Sequence, residues 1–356
     1  MSATAVRLDD AVLADVAAAA ASVDANTTPA SAVLARLAEQ GLLDTGLPQG
    51  DDTSRPSEDV RPTAELIAAI AQECVSSAFS VWAHRMVLEY VARGERSVRT
   101  NRLLDQLRSA QRVGATAMAA GLKSLAGLGE VDIIATRTGQ GWSLTGPVAW
   151  ASNLVAGSVF VAPARTLDGQ SLVVWVDTDA PGVTVRPVSG LLALDSTASG
   201  SLKLENVAVA DDQVLSTDLA GFARDFRPVF LVLQSAFCVG LIRRSLAEAT
   251  TSLARGDNPA LASDVHQLDL DVQRLLDTWE ALAADVTSGT ARELLQLRLD
   301  ASHLAGRATR LEATLAGGRG YLRTSGTSRR FREAAFLPVQ SPSEGHLRWE
   351  LATLPA

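Results

Sequence analysis

Cysteine, histidine, aromatic residues and positive charge are all scarce in this chain, and each scarcity closes off a class of function. The two cysteines, Cys74 and Cys238, lie in apolar surroundings and form no CxxC or Cys/His cluster, so neither a disulfide framework nor a zinc site is indicated. Both read as small buried hydrophobes. His84, His266, His303 and His346 are scattered without metal-ligand spacing and read as structural or exposed. Lys plus Arg number 32 against 40 Asp plus Glu, and the resulting net charge of −8 argues against a general binder of nucleic acid or anionic membrane. The longest apolar run, Pro228 to Ile242, is interrupted by Gln234 and Ser235 and falls short of a membrane span, so it reads as a buried bundle helix. The opening MSATAVRLDD has neither the basic flank nor the apolar stretch of a signal peptide, and a reduced cytoplasm is the expected location.

What the chain does hold is aliphatic residues. Apolar residues make up 47% while aromatics make up only 4%; the excess is Ala, Leu and Val, which points to closely packed helices. With 356 residues, two or three compact units are expected.

Hydrophobic periodicity divides the chain into three parts. From Leu8 to Leu43 the spacing is helical, broken near Asn26-Thr-Thr-Pro29, where Thr27 or Thr28 is positioned to cap a helix beginning at the proline. Residues 46–62, rich in Gly, Pro, Asp and Ser, predict a long loop. A helix is predicted to open at Thr63 and run past Val75, with further helices through Leu107. From Val113 the texture changes to short alternating runs at 131–137, 142–145, 158–162, 171–176, 182–186 and 200–209, separated by Gly, Asp and Pro turns, which predict one antiparallel sheet. Helical spacing returns from Asp218 to Leu315. The expected fold is therefore α+β and mostly α, with an N-terminal helical domain over 1–114, a middle antiparallel β domain over 115–217 and a C-terminal four-helix bundle over 218–356.

Several segments along this frame resemble the acyl-CoA dehydrogenase family. Leu37-Ala-Glu-Gln-Gly-Leu-Leu is similar to the family's early helix end, and Asn101-Arg-Leu-Leu-Asp-Gln-Leu to its helix leading into the sheet. Gly141-Trp-Ser-Leu-Thr-Gly-Pro-Val-Ala-Trp-Ala-Ser-Asn153 resembles the stretch in which a strand and a Trp-x-Thr/Ser element approach a flavin, with Trp150 and Ser152 on those positions. Residues 190–215 are similar to its last strand and the exit toward the bundle. Ala254-Arg255 followed by Val265-His266-Gln267 resembles the family's Arg and Gln around the connection after the first long helix, without the usual Phe-Gly after the arginine. Gly317-Gly318-Arg319-Gly320-Tyr321 matches its GGxGY turn, and Arg329-Arg-Phe-Arg332-Glu-Ala its following basic segment.

The resemblance implies an FAD-dependent oxidoreductase. Arg255, Gln267, Gly317, Gly318 and Gly320 would contact the diphosphate and adenosine end of the cofactor, often across a subunit interface, and Trp150 and Ser152 the isoalloxazine. It implies a homodimer or homotetramer, an acyl-CoA or similar small substrate, and electron exchange with an electron-transfer flavoprotein or a flavin reductase. Glu344, in Ser341-Pro-Ser-Glu344-Gly345, falls on the family's Glu-Gly and is the candidate base for removing an α-proton while the β-hydrogen leaves as hydride. The interval from Arg332 to Glu344 is longer than the family's, and the loop 115–127 lacks the family's Thr-Glu-Pro and Gly-Ser-Asp. The segment Arg332 to Pro342 also has the Arg-to-Pro interval of the flavin-dependent monooxygenases of this fold, with Ala335 and Gln340 in place of their Arg and His. A degenerate, non-catalytic member is the third alternative.

The residue types suit these roles on physical grounds. Arginine offers a permanent charge with several donors, glycines let backbone N–H groups approach a phosphate, and a flat ring needs an apolar wall with donors at its polar edge. Each also has a plainer reading. The glycines can form a helix C-cap, Arg255 can complement a helix dipole, Trp150 can be buried against protein rather than flavin, and Ser341-Pro-Ser-Glu344 has the form of a capping box with Ser341 as N-cap.

Overall fold

The computed structural model describes residues 10–47, 59–256 and 258–355. Among them are eleven α-helices and eight strands in the order helices, sheet, helices. Leu8, where helical spacing begins, and most of the predicted loop at 46–62 lie outside the described residues.

The N-terminal helices are α1 (Asp10–Asp24), α2 (Val33–Glu39), α3 (Arg61–Glu73), α4 (Val75–Arg93) and α5 (Val98–Arg108). The break at 26–29 falls where the sequence places it, but neither threonine caps the next helix: Thr28 Oγ1 donates to Ser22 Oγ and Thr27 Oγ1 to the Ser22 carbonyl, so both tie back to the end of α1. Nor does one helix run past Val75. Cys74 is extended, with φ −157° and ψ 110°, and separates α3 from α4. The carbonyl of Glu73 left free at the end of α3 accepts from Arg329 of the C-terminal region, so a distant side chain completes a helix end that local sequence does not mark. α4 is buried almost throughout, from Val75 to Ala92, which makes it the central rod of the molecule.

All six predicted strand runs are present, as β2 (Ile134–Thr138), β3 (Gly141–Ala151), β4 (Val159–Arg165), β5 (Ser171–Asp177), β6 (Val183–Pro187) and β7 (Gly200–Val209). Two short strands, β1 (Gly114–Thr116) and β8 (Val214–Ser216), and the helix α6 (Ala119–Leu125) complete the middle part. The sheet order is β6-β7-β3-β2-β4-β5-β8, with β1 also beside β4. Most pairings are antiparallel as expected, but β4 runs parallel to both β1 and β2, so the sheet is mixed. One face buries Leu144, Phe160, Val174 and Leu202 in a core of its own, while Val159, Val161, Val173 and Trp175 face the helices. This is the two-sided alternation of a sheet that covers a helical body on one side.

The C-terminal series is α7 (Leu219–Ala254), α8 (Ala262–Ala284), α9 (Ala291–Gly320), α10 (Gly326–Ala334) and α11 (Glu344–Thr353). α7 is long and apolar enough to cross a membrane, yet 83% of its apolar window is buried inside the protein, against α3 and α4 on one side and α9 on the other. Gly240 makes the α3 approach possible, since a Cβ there would stand 2.1 Å from the Ala68 carbonyl oxygen. Both cysteines are buried, Cys74 at 1% and Cys238 at 0% exposure.

Candidate functional site

A cavity of about 970 Å³ opens where α4, α6, β3, α7 and the segment after α10 converge. Its floor is aromatic. Phe79 and Trp82 of α4 stack at 5.5 Å between ring centroids, and Phe230 of α7 meets Trp82 edge-on at 5.1 Å. Phe336 meets Phe79 edge-on, also at 5.1 Å. The opposite wall is the end of β3 from Pro147 to Ala151 and Ser152 just after it. Trp150 is 56% exposed at that wall, so it is not buried as the sequence suggests; its ring is presented to the cavity and solvent. Ser152 Oγ lies 2.7 Å from Ser199 Oγ, which lies 2.8 Å from Thr197 Oγ1, so three hydroxyls line one stretch of wall.

Four donors of the lining are buried without a partner: Trp82 Nε1, Arg332 Nε, Gln340 Nε2 and Ser341 Oγ. Buried polar atoms are nearly always satisfied, so four unpartnered donors on residues that line one hollow are unusual. Lys123 of α6 also lines the cavity. Arg332 is anchored by Asp24 of α1 through two hydrogen bonds of 2.8 and 2.7 Å, and by the Leu192 carbonyl. Burial pushes the Asp24 carboxyl upward, but the Arg332 and Arg323 guanidiniums outweigh it and hold the group below its ordinary range.

Glu344 stands at the edge of this cavity without facing it. Ser343 and Gly345 on either side line the wall, while the Glu344 carboxylate lies 3.2 Å from His303 Nε2 and accepts from Arg348 Nε at 2.8 Å. Partial burial opposes its ionisation, but those two partners prevail and its carboxyl is held below the ordinary range. The capping box predicted for Ser341 does not form. Ser343 is the N-cap of α11, accepting from the His346 amide at 3.4 Å, and Glu344 occupies the first helical position. Pro342 follows a cis peptide bond. The acidic side chains that do line the cavity are Glu130 and Asp132.

The remaining sequence candidates gather elsewhere. Arg255 at the end of α7, Gln267 early in α8 and Gly317 near the end of α9 share one end of the bundle, held by a small core of Ala249, Val265 and Leu315. Arg255 is exposed, and Gln267 donates to Asp271 at 3.1 Å. Gly317 has φ +59° and ψ −148°, a conformation open only to glycine, and a Cβ on it or on Gly318 would meet nothing within 4 Å. Gly320 differs: it is buried, and a Cβ there would stand 2.6 Å from that of Ala316. None of these five residues lines the cavity with Trp150 and Ser152. The structure brings the seven cofactor candidates together as two groups.

Sequence reasoning missed Trp82, Thr197, Ser199 and Ser341 as cavity residues, and met Gln340 only as a substitution. Nothing local distinguishes them: Trp82 lies in an unbroken helical pattern, and the serines are ordinary loop residues until the fold assembles them.

No protein-family model and no curated protein gives a match to this chain. Solved structures do. Butyryl-CoA dehydrogenase from Megasphaera elsdenii superposes with a TM-score of 0.83 at 15% identity, covering 99% of this chain and 99% of that one. A glutaryl-coenzyme A dehydrogenase in complex with glutaryl-CoA gives 0.82 at 17% identity, covering 99% and 96%. PigA with FAD and proline gives 0.80 at 16% identity, covering 98% of each chain. The likeness spans the chain from end to end.

Proposed function

On this acyl-CoA dehydrogenase fold, we propose that the chain is an FAD-dependent oxidoreductase whose cavity holds the isoalloxazine and a small acyl substrate. The observation that carries the reading is the set of unpartnered buried donors around an apolar hollow. Trp82 Nε1, Gln340 Nε2 and Ser341 Oγ are donors, and the polar edge of a flavin offers acceptors at N1, O2, O4 and N5 beside its single N3–H donor. Phe79, Trp82, Phe230 and Trp150 supply apolar faces for its ring system, and Ser152, Ser199 and Thr197 further hydroxyls. The residues present therefore fit the group. Similar solved proteins are titled for FAD and for acyl-CoA, which agrees with this assignment.

Bound flavin supplies the hydride acceptor; the chain supplies position and proton transfer. In this reading Glu344 takes the α-proton of an acyl thioester after turning inward from His303 and Arg348, a change that its neighbours on the cavity wall make short. Arg255, Gln267, Gly317 and Gly318 lie away from the cavity, so their contact with the dinucleotide end of FAD requires a second copy of the chain, as a homodimer or homotetramer. Reoxidation falls to an electron-transfer flavoprotein.

One observation favours a second reading. Glu344 is turned away, and the acids that do line the cavity, Glu130 and Asp132, are solvent-exposed, an arrangement suited to a monooxygenase that receives reduced flavin from a reductase and needs no carboxylate base. Absorption spectra of the purified protein with and without added FAD test the common core of both. A flavin spectrum that bleaches anaerobically with an acyl-CoA identifies the dehydrogenase. Product that forms only with oxygen and a reductase identifies the oxygenase. A protein that stays colourless on FAD titration overturns both and leaves a non-catalytic member of the fold.

A further inference from the structure

Arg298 of α9 is fully buried and faces no carboxylate. Its Nε donates to Gln234 Oε1 at 2.9 Å, and one Nη donates to the Leu337 carbonyl at 2.9 Å and to Gln340 Oε1 at 3.2 Å, while the other Nη has no partner. The side-chain ion pairs of the described residues do not include it. An isolated buried ion costs several kcal/mol even after relaxation, so natural chains rarely keep one without an anion to meet. Neutral acceptors offset part of that cost and leave the charge intact, because arginine does not deprotonate in proteins.

Two amides link the charge to the cavity wall. Gln340, a residue of the cavity lining, is 5% exposed; its Oε1 is held by Arg298, and its Nε2 is buried without a partner. Ser341 Oγ, also unpartnered, lines the same wall, and the Ser341 carbonyl accepts from Gln234 Nε2 at 2.9 Å. Gln234 thus bonds the arginine through one end of its amide and the cavity segment through the other. An amide whose oxygen is bound to a guanidinium is polarised, and its N–H groups become stronger donors.

We propose that Arg298 and Gln340 form a relay that makes the inner cavity selective for an oxyanion: a ligand oxygen bearing full or developing negative charge, such as a phenolate, a carboxylate or the enolate oxygen of an acyl compound. Gln340 makes the contact, and Arg298 is a positioning residue that acts through it. The proposal deepens the oxidoreductase reading by naming the charge state that the cavity prefers, but the relay itself requires no flavin.

The test uses 4-nitrophenol, whose ionisation is read from its absorbance. Purified full-length protein, prepared both without and with FAD, is titrated with it across pH. Stabilisation of the bound anion about tenfold over the bound phenol lowers its pKa by about one unit. That shift in either preparation, lost in Gln340→Leu, is the expected result. Gln340→Glu keeps the fold by pairing directly with Arg298 and is expected to abolish the shift by neutralising the charge, which covers the case in which Arg298→Met does not fold. An unshifted or raised pKa overturns the relay, as does a shift that survives in both Gln340 variants or failure of the wild-type protein to bind the phenol in either preparation. A colourless protein that still shifts the phenol refutes the flavin assignment and leaves the relay standing; a yellow protein without the shift does the reverse.

Discussion

The two ends of α9 handle buried charge in opposite ways. Near the cavity, Arg298 is surrounded by amides and carbonyls and pairs with no carboxylate of the described residues. About 21 Å farther along the axis, Glu312 is 1% exposed and receives two hydrogen bonds from Arg330 of α10, one of them 3.0 Å, with Glu248 of α7 nearby. At one end the buried arginine and carboxylate match each other; at the other the arginine meets only neutral acceptors. Stability alone favours the first arrangement, so the second is the one a ligand in the neighbouring cavity would account for under the proposed function.

The largest effect should come from unbalancing the matched end. Glu312→Ala leaves the Arg330 guanidinium buried without its anion and is expected to cost about 3–5 kcal/mol in urea unfolding. Arg298→Met removes a charge that had no anion and leaves three acceptors unmet, for an expected cost of about 1–3 kcal/mol. The contrast between the ends fails if the arginine substitution proves the more damaging of the two.

Between those values lies a pH effect from two other buried groups, one of them beside the Glu312–Arg330 pair. Glu333 of α10 is buried with both carboxylate oxygens unpartnered, Arg329 standing 3.8 Å away, and burial pushes its carboxyl up to about 7. A raised carboxyl keeps its proton in the folded state after the unfolded chain has released it, so stability falls as pH rises from about 4.5 to about 7, by about 3 kcal/mol. His84 of α4 does the reverse. Buried, with Nε2 on the Leu107 carbonyl and Nδ1 accepting from the Gly114 amide, it is pulled down to about 4, and stability falls by a similar amount as pH drops from about 6.5 to about 4. The slopes oppose each other where the windows overlap. Wild-type unfolding free energy should therefore respond weakly to these groups between about pH 4.5 and 6.5, and Glu333→Gln should unmask the acid-side loss due to His84. An unchanged profile in that variant would show Glu333 to be ionised in the fold.

How much of this was legible in the sequence follows from how local each cause is. The six long strands were readable because alternation is written residue by residue, and so was the glycine corner, where Gly317 needs φ +59°. The break at Cys74 was not, because Arg329, some 250 positions later, takes the Glu73 carbonyl. β1 and β8 are three residues each, too short for a period, and β4's parallel partners depend on how the sheet is threaded. The motif led to two residues that the structure places on the cavity wall, Trp150 and Ser152, although not to the exposure of Trp150. Arg298 had no signal at all, since an arginine in an amphipathic helix reads as surface until its surroundings are known.

The smallest stability effect belongs to the exposed end of the bundle and sharpens the contrast most. Arg255 is exposed at the end of α7, so Arg255→Ala should change unfolding free energy by no more than about 0.5 kcal/mol. If that end grips a diphosphate, the same substitution removes a charge-assisted contact, worth about 1.5–3 kcal/mol, and should weaken FAD binding by at least about tenfold in a fluorescence titration. Because the residue stands apart from the cavity of its own chain, the loss should appear only where copies associate: mixing Arg255→Ala with a cavity variant such as Gln340→Glu should restore binding at one of the two sites of each mixed dimer. Equal FAD affinity in wild type and Arg255→Ala would separate the bundle end from the cofactor and leave the cavity as the sole flavin-facing region.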